Sequence, residues 1–177
     1  MAIDATIDSQ QKDSADVMEK AAKIRFGMLT TFAGERLTSR PMTIQQIEAT
    51  PAAVWFFTSR HGNLAQTIGG GTGSGTYVNL AIAEPAESFY VSISGRARIV
   101  DDKAKMEELW STMAKAWFPG GIDDPNLALV RMDVDAAEYW DSDHSEMVQM
   151  LMMAKSAVTG TPPTDIGTHG TLGAQVA

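Results

Sequence analysis

The chain has 177 residues, of which 44% are hydrophobic and 20% are charged, proportions that fit an ordinary soluble domain. Fourteen Lys and Arg against 22 Asp and Glu give a net charge of −8, which repels phosphate backbones and argues against nonspecific nucleic-acid binding. Because the chain has no Cys, disulfides, thiolate metal sites and thiol nucleophiles are excluded.

Neither a membrane span nor a secretory signal is visible in the sequence. The longest stretch without a charged residue, His61 to Ala83, contains a glycine cluster and several amides, so it is too polar for hydrocarbon. Residues 1–12 are polar and lack the basic and apolar regions of a signal peptide. We therefore expect a cytoplasmic protein with a frayed N-terminus at residues 1–12.

The first half of the chain changes from helical to extended patterning. Val17, Met18 and Ala21 recur at helical spacing behind a cap at Asp13 or Ser14. A short helix is predicted at Asn63–Ile68, and the glycine run that follows it is predicted to be a loop. Period-two, β-prone segments predict strands at Met28–Phe32, Leu37–Ile47, Val54–Thr58 and Tyr77–Ile82.

The second half continues the mixture of strands and helices. The long segment Ser88–Val100 alternates apolar and polar residues, and Gly95 interrupts the alternation at the position of a predicted bulge. The remaining predicted elements are a helix from Asp101 to Trp117, a strand at Leu127–Val134, a short extension at Ala137–Trp140 and a Met-rich helix at Asp143–Val158. Residues 161–177 are predicted to be a tail, which leaves residues 13–160 as the domain.

The predicted strands indicate an antiparallel fold. They are joined mostly by hairpins, and they are not the continuous Val and Ile runs that a parallel sheet buries on both faces. Closing such a set of strands removes exposed edges, so a barrel is favoured over a sandwich. Periodicity alone thus predicts an α+β fold built around a β-barrel.

Several chemical motifs fail when their spacing is tested. The glycine run Gly69–Gly75 lacks the Lys of a phosphate loop, and Ser74 or Thr76 stands where a dinucleotide fingerprint requires its third glycine. His61, His144 and His169 are too scattered for a structural zinc site, so no metal is predicted. The apolar stripe of the Met-rich helix predicts a packing face, either on the barrel or on a partner subunit.

One constellation suits an anion. Arg40 is a permanent cation whose forked donors match phosphate geometry. The hydroxyls of Thr58 and Ser59, at the end of the next strand, are able to complete such a site. The alternative, that Arg40 is a cation at the barrel rim paired with an acid, stays open on the residues alone.

A series of segments in order resembles a known family. They are Thr38–Met42, Trp55–Ser59, Tyr90–Ala97, Ala116–Gly121 with Asp123–Pro125, and Ala137–Asp141. Together they resemble the general-stress-protein branch of the pyridoxamine 5'-phosphate oxidase-like flavoproteins, over about Val17 to Gly170. The resemblance implies a mainly antiparallel, six-stranded split β-barrel with flanking helices, which forms a homodimer with FMN (or FAD) at its interface.

The resemblance also assigns candidate flavin contacts. Most come from two strands, and the aromatic ones are expected from the other subunit. The implied cofactor-binding residues are Arg40, Pro41, Met42, Thr43, Phe57, Thr58, Ser59, Leu64, Trp117, Phe118 and Trp140.

Two departures from the family pattern bear on function. Asn63 and Leu64 stand where related oxidases place Arg and Lys as phosphate clamps, so Arg60 and His61 are the substitutes at hand. Acidic residues follow Trp140 in place of the basic pair that holds a phosphorylated substrate. The resemblance thus implies either a flavin-dependent oxidoreductase acting on an unknown small molecule, with no catalytic residue assigned, or a non-enzymatic flavin-binding or interaction protein that acts as a dimer in the stress response.

Overall fold

The computed structural model describes residues 14–69, 74–142 and 168–173. The predicted Met-rich helix and part of the glycine run lie outside these residues. The helices are α1 (Ser14–Ala22), α2 (Asn63–Gly69), α3 (Lys103–Leu109) and α4 (Thr112–Trp117), with short 3-10 turns at Pro85–Glu87 and Gly121–Asp123. The strands are β1 (Phe26–Ala33), β2 (Arg36–Ala49), β3 (Ala52–Ser59), β4 (Thr76–Glu84), β5 (Phe89–Val100), β6 (Leu127–Asp141) and β7 (Thr168–Gly173).

Six of the strands close a ring. The order in the sheet is β3-β2-β1-β4-β5-β6-β7, and an additional pairing of β3 with β6 closes it. All these pairings are antiparallel. The prediction of a six-stranded antiparallel barrel with flanking helices is therefore confirmed, and β7 is an addition to it.

Strand β6 is long enough to serve two neighbours on one edge. Its first half pairs with β3 from Leu127 to Asp133, and its second half pairs with β7 from Ala136 to Asp141. Its other edge pairs with β5 along nearly its whole length. The predicted strand and its short extension are thus one continuous strand.

The core fills the interior of the ring. In β5 the alternation seen in the sequence places Phe89, Val91 and Ile93 inside the barrel, because successive side chains of a strand point to opposite faces. Helices α1 and α2 contribute to the same core through their apolar faces. Lys20 ties α1 to the barrel through an ion pair of 3.1 Å with the buried carboxylate of Asp141.

The bulge predicted at Gly95 is confirmed. The register of β5 against β6 shifts between Ser94 and Gly95. A Cβ at position 95 would lie 2.0 Å from the carbonyl oxygen of Asp133. Only glycine permits the neighbouring backbone to approach this closely.

Two predicted boundaries differ from the structure. The helix expected from Asp101 to Trp117 is two helices, because Ser111 accepts a hydrogen bond from the Ala114 amide at 3.2 Å and so caps a new helix. The predicted C-terminal tail contains β7, a strand rich in Gly and Thr. Its pairing with the free edge of β6 is a long-range contact that local patterning does not reveal. No helix in the described ranges is long and apolar enough to cross a membrane.

Candidate functional site

Strands β2 and β3 separate at one end of their ladder. They pair from Ala49 and Ala52 as far as Ile44 and Phe56, with a register irregularity next to Ile44. Beyond that point β2 continues against β1, and β3 continues against β6. The facing edges of the two strands therefore leave backbone groups that do not pair with each other across the gap, and such groups need another partner.

A cavity of about 300 Å³ lies where the two strands separate. Both strand edges, helix α4 and the loop before β6 form its walls. The lining residues are Pro41, Met42, Thr43, Gln45, Phe57, Thr58, Ser59, Met113, Ala114, Trp117, Phe118 and Asn126. None of these side chains carries a charge, so the cavity presents apolar surface with a few hydroxyl and amide groups.

The α4 wall is held by a second hydrophobic cluster outside the barrel. Phe57 and Phe118 are both buried in this cluster, and Phe57 meets the ring of Trp110 edge-on at 5.8 Å. The preceding residue, Trp117 at the end of α4, behaves differently, since it is 74% exposed. The helix thus fixes its own position with Phe118 and presents the indole of Trp117 at the cavity rim.

An ion-pair network lies next to this second cluster, at Trp55. Lys105 in α3 contacts Glu48 at 2.7 Å and Glu108 at 2.9 Å, and its ammonium lies over the Trp55 ring. Burial acts to raise the pKa of Glu48, but the hydrogen bond from Lys105, the nearby indole N–H of Trp55 and the charges of Lys105 and Arg131 outweigh it, so this pKa is lowered. Burial likewise acts to lower the pKa of Lys105, but the two carboxylates outweigh it, and that pKa is raised.

The polar side of the cavity is organised around Asn126. The Ser59 hydroxyl donates a hydrogen bond to Asn126 Oδ1 at 2.8 Å. The backbone N–H of Asn126 donates to Asp124 Oδ1 at 2.8 Å, and the backbone carbonyl of Asn126 accepts from the backbone N–H of Arg60. These bonds fix the loop, so the Ser59 oxygen and the Asn126 side chain have defined positions on the cavity wall.

Arg40 lies in β2 next to this wall but is not one of its lining residues. It is directly across from Leu29 in β1, and alternation places it on the same face of β2 as Met42. Its Nε atom is buried and has no hydrogen-bond partner. Within the described ranges, no acid forms an ion pair with Arg40, which distinguishes it from Arg60, whose guanidinium contacts Asp101 at 3.1 Å.

The structure brings most of the predicted site residues together. Those on the cavity wall are Pro41, Met42, Thr43, Phe57, Thr58, Ser59, Trp117 and Phe118. Trp117 and Phe118 line this cavity in their own chain, and their expected contribution to the flavin site of a second subunit stays a prediction. A fixed helix–strand contact brings them there, and sequence spacing does not reveal such a contact.

Two predicted residues lie away from the cavity wall. Leu64 is buried in the barrel core, and Trp140 is half-exposed on β6, where it pairs with Tyr90 and His169. A direct contact of either with a flavin stays a prediction. Asn63, the other position of the expected clamp, is exposed.

Sequence reasoning missed four lining residues: Gln45, Met113, Ala114 and Asn126. Asn126 directly follows the segment Asp123–Pro125, and Gln45 lies three residues after the segment Thr38–Met42. Proximity along the chain to these segments was the only signal for either residue. Met113 and Ala114 had no signal, because they were assigned to the apolar stripe of a single long helix. In the described part of the chain, no group of three His, Asp or Glu side chains is placed to hold a metal.

Comparisons with known proteins agree with this architecture. The family model for pyridoxamine 5'-phosphate oxidase-like proteins matches residues 12–164. Among curated proteins, protein bli-3 of Neurospora crassa is 25% identical over 150 residues, which cover 79% of this chain and 70% of bli-3.

Two solved structures are similar over most of their length. A protein from Jannaschia sp. CCS1 assigned to general stress protein 26 is 26% identical, with a TM-score of 0.70, and the match covers 90% of this chain and 96% of that one. The general stress FMN/FAD binding protein of Xanthomonas citri is 36% identical, with a TM-score of 0.63, and the match covers 75% of this chain and 93% of that one.

Proposed function

Since the chain belongs to the pyridoxamine 5'-phosphate oxidase-like family, we propose that it is an FMN-binding protein of the general-stress type whose cavity holds the flavin ring. The observation that carries the proposal is the gap between β2 and β3. It combines an uncharged cavity with two strand edges whose backbone groups do not pair with each other.

The cavity lining matches the chemistry of a flavin ring. An isoalloxazine is a flat apolar plate with a polar edge, so it needs apolar surface on its faces and hydrogen-bonding groups at its rim. Met42 and Phe57 supply apolar surface, and Trp117 stands at the cavity rim. The edge of β2 at Thr43 and the side chains of Ser59 and Asn126 supply polar groups on the same cavity wall.

The buried Nε of Arg40 is an argument for a ligand with an anionic group, such as the phosphate of FMN. A buried donor without a partner costs roughly 1–3 kcal/mol, and a phosphate accepting from it would remove that cost. The hydroxyl of Thr58 lies on the wall of the adjoining cavity and would complete the phosphate contacts. The hydroxyl of Ser59 would join it by turning its proton from Asn126 Oδ1 to the phosphate. The same contacts suit FAD, which contains the same ring and first phosphate.

The flavin supplies the redox chemistry when it is bound, by accepting and releasing a hydride or single electrons. The side chains of the cavity have the tasks of binding the ring, orienting it and excluding water. None of them is an acid or a base that would move a proton. This fits a flavin-dependent oxidoreductase that acts on a small molecule without an assigned catalytic residue.

The outer face of the sheet supports the proposed homodimer. Large apolar side chains stand exposed on its outward positions, and Pro41, at the cavity, is directly across from Met28 on this same face. Exposed apolar patches on a soluble protein mark interaction sites, and a second copy of this chain is the proposed occupant. The exposed residues are Phe26, Met28, Phe32, Leu37, Tyr77 and Tyr90.

Absorbance and a flavin titration test the proposal. The protein as purified should carry a flavin absorbance band, or the flavin-free protein should quench FMN fluorescence with a micromolar or lower Kd. Absence of both the band and the quenching would refute flavin binding.

A non-enzymatic role is the second candidate. It is favoured by the lack of the cation clamp, since Asn63 is exposed and Leu64 is buried in the core. Turnover of NAD(P)H by the flavin-loaded protein separates the candidates, because only an oxidoreductase consumes it. A cytoplasmic location stays a prediction for either.

A further inference from the structure

We propose that the second molecule accepted at the flavin site is uncharged, planar and apolar, and that it stacks on the indole of Trp117. This rests on the proposed function, because the second molecule is taken to bind beside a bound flavin. The pyridoxamine oxidase chemistry for which the family is named needs a phosphorylated substrate. The charges around this cavity indicate a different class of molecule.

The charge distribution disfavours an anionic second molecule. Among the residues that the structure describes, the cavity lining contains no Lys, Arg or His. Arg40, the nearest cation in β2, is the group that the flavin phosphate would use, and Arg60 is already paired with Asp101. An anion placed in a cavity without a paired cation loses its hydration uncompensated, and the net charge of −8 adds a repulsive field.

The rim offers a stacking surface. Trp117 is 74% exposed although it belongs to a helix that is anchored by its buried neighbour Phe118. Much of the indole ring is in contact with water and not with other side chains. A planar molecule stacked on the ring with an offset would cover this exposed surface. Met113, on the same helix, and Pro41, on β2, add uncharged surface to the same cavity.

A pair of probes that share a ring system tests this inference. The pair is 1,4-naphthoquinone and 1,4-naphthoquinone-2-sulfonate, each titrated by calorimetry into protein saturated with oxidised FMN, so that binding is measured without electron transfer. We expect the neutral quinone to bind at least about tenfold more tightly than the sulfonate, since no cation is among the described lining residues.

Variants of α4 identify the surface that binds. Trp117→Ala should weaken the binding of the neutral quinone by about five- to tenfold, the range expected for a lost aromatic contact. Trp117→Phe should recover part of the lost affinity. FMN affinity, measured separately, should change less than the quinone affinity. Lys115→Ala, an exposed change on the same helix outside the cavity lining, should leave the quinone affinity unchanged.

The outcomes separate this inference from the proposed function. Failure to bind FMN overturns both. Normal FMN binding combined with equal or tighter binding of the sulfonate, or with a quinone affinity that is insensitive to Trp117→Ala, overturns the substrate class alone.

Discussion

The substitution Arg40→Met separates a role in flavin binding from a role in folding. Met preserves most of the aliphatic length of Arg40 but removes the guanidinium, whose Nε is buried without a partner. In the flavin-free protein this removes an unsatisfied donor, so the free energy of unfolding should stay unchanged or rise by up to about 1 kcal/mol. In the complex it removes a charged hydrogen bond worth roughly 1.5–3 kcal/mol.

This loss corresponds to a Kd for FMN that is weaker by about 10- to 100-fold. Fluorescence quenching measures the Kd, and urea unfolding of the flavin-free protein measures stability. Arg36→Met is the matched control, because Arg36 is exposed at the start of the same strand and does not line the cavity, and it should change the Kd by no more than about twofold. An FMN affinity unaltered by Arg40→Met, or a flavin-free protein destabilised by several kcal/mol, would refute the reasoning.

Three further predictions concern the scaffold. Gly95→Ala should lower the free energy of unfolding by at least about 2 kcal/mol in urea, because the new Cβ would meet the Asp133 carbonyl. Glu48→Gln should reduce the stability lost as the pH falls below 4.5, because the lowered pKa of Glu48 stabilises the fold above its ordinary value of 4.5 and this contribution disappears as the pH falls from there through the folded pKa. Met28→Asp should convert a dimeric mass in sedimentation to a monomeric one, because it places a charge in the exposed apolar face.

Each of these has a control and a contrary result. Gly69→Ala places a Cβ no nearer than 3.9 Å to its closest neighbour, so equal costs at positions 69 and 95 would contradict the bulge argument. Glu107→Gln changes an exposed carboxylate on α3, and an acid response matching that of Glu48→Gln would remove any special role for the Lys105 contact. A wild-type protein that is monomeric at micromolar concentration would rule out the proposed dimer, whereas Ala104→Asp, on α3, should leave the mass unchanged.

Local pattern was sufficient for the strands that build the barrel. The alternation of Phe89, Val91 and Ile93 with polar residues determines which face of β5 is buried, because a strand has a period of two. Gly95 marked the bulge for the same reason, as the one break in that alternation. Patterning was insufficient where a side chain competes with the backbone, as Ser111 does when it divides the predicted long helix in two.

The candidate site was only partly accessible from sequence. Segments that resemble the family identified Thr43, Phe57 and Ser59, which line the cavity. They did not show that Trp117 lies on a cavity of its own chain, nor that Leu64 is a core residue. Those facts depend on the packing of α4 and α2 against the barrel, and residue spacing carries no information on that packing.

Three features of this protein followed from the sequence by itself. They are an acidic chain without thiols, a set of antiparallel strands, and Arg40 as the candidate for anion binding. The tertiary structure alone decided that β2 and β3 separate beyond Ile44 and Phe56, and that an uncharged cavity forms there. The physical reason is that each strand is held on the edge away from the gap, β3 by β6 from Ala53 to Ser59 and β2 by β1 from Arg36 to Thr43, so the two strands diverge beyond Ile44 and Phe56. These long-range pairings depend on closing the whole barrel, and no local segment encodes them.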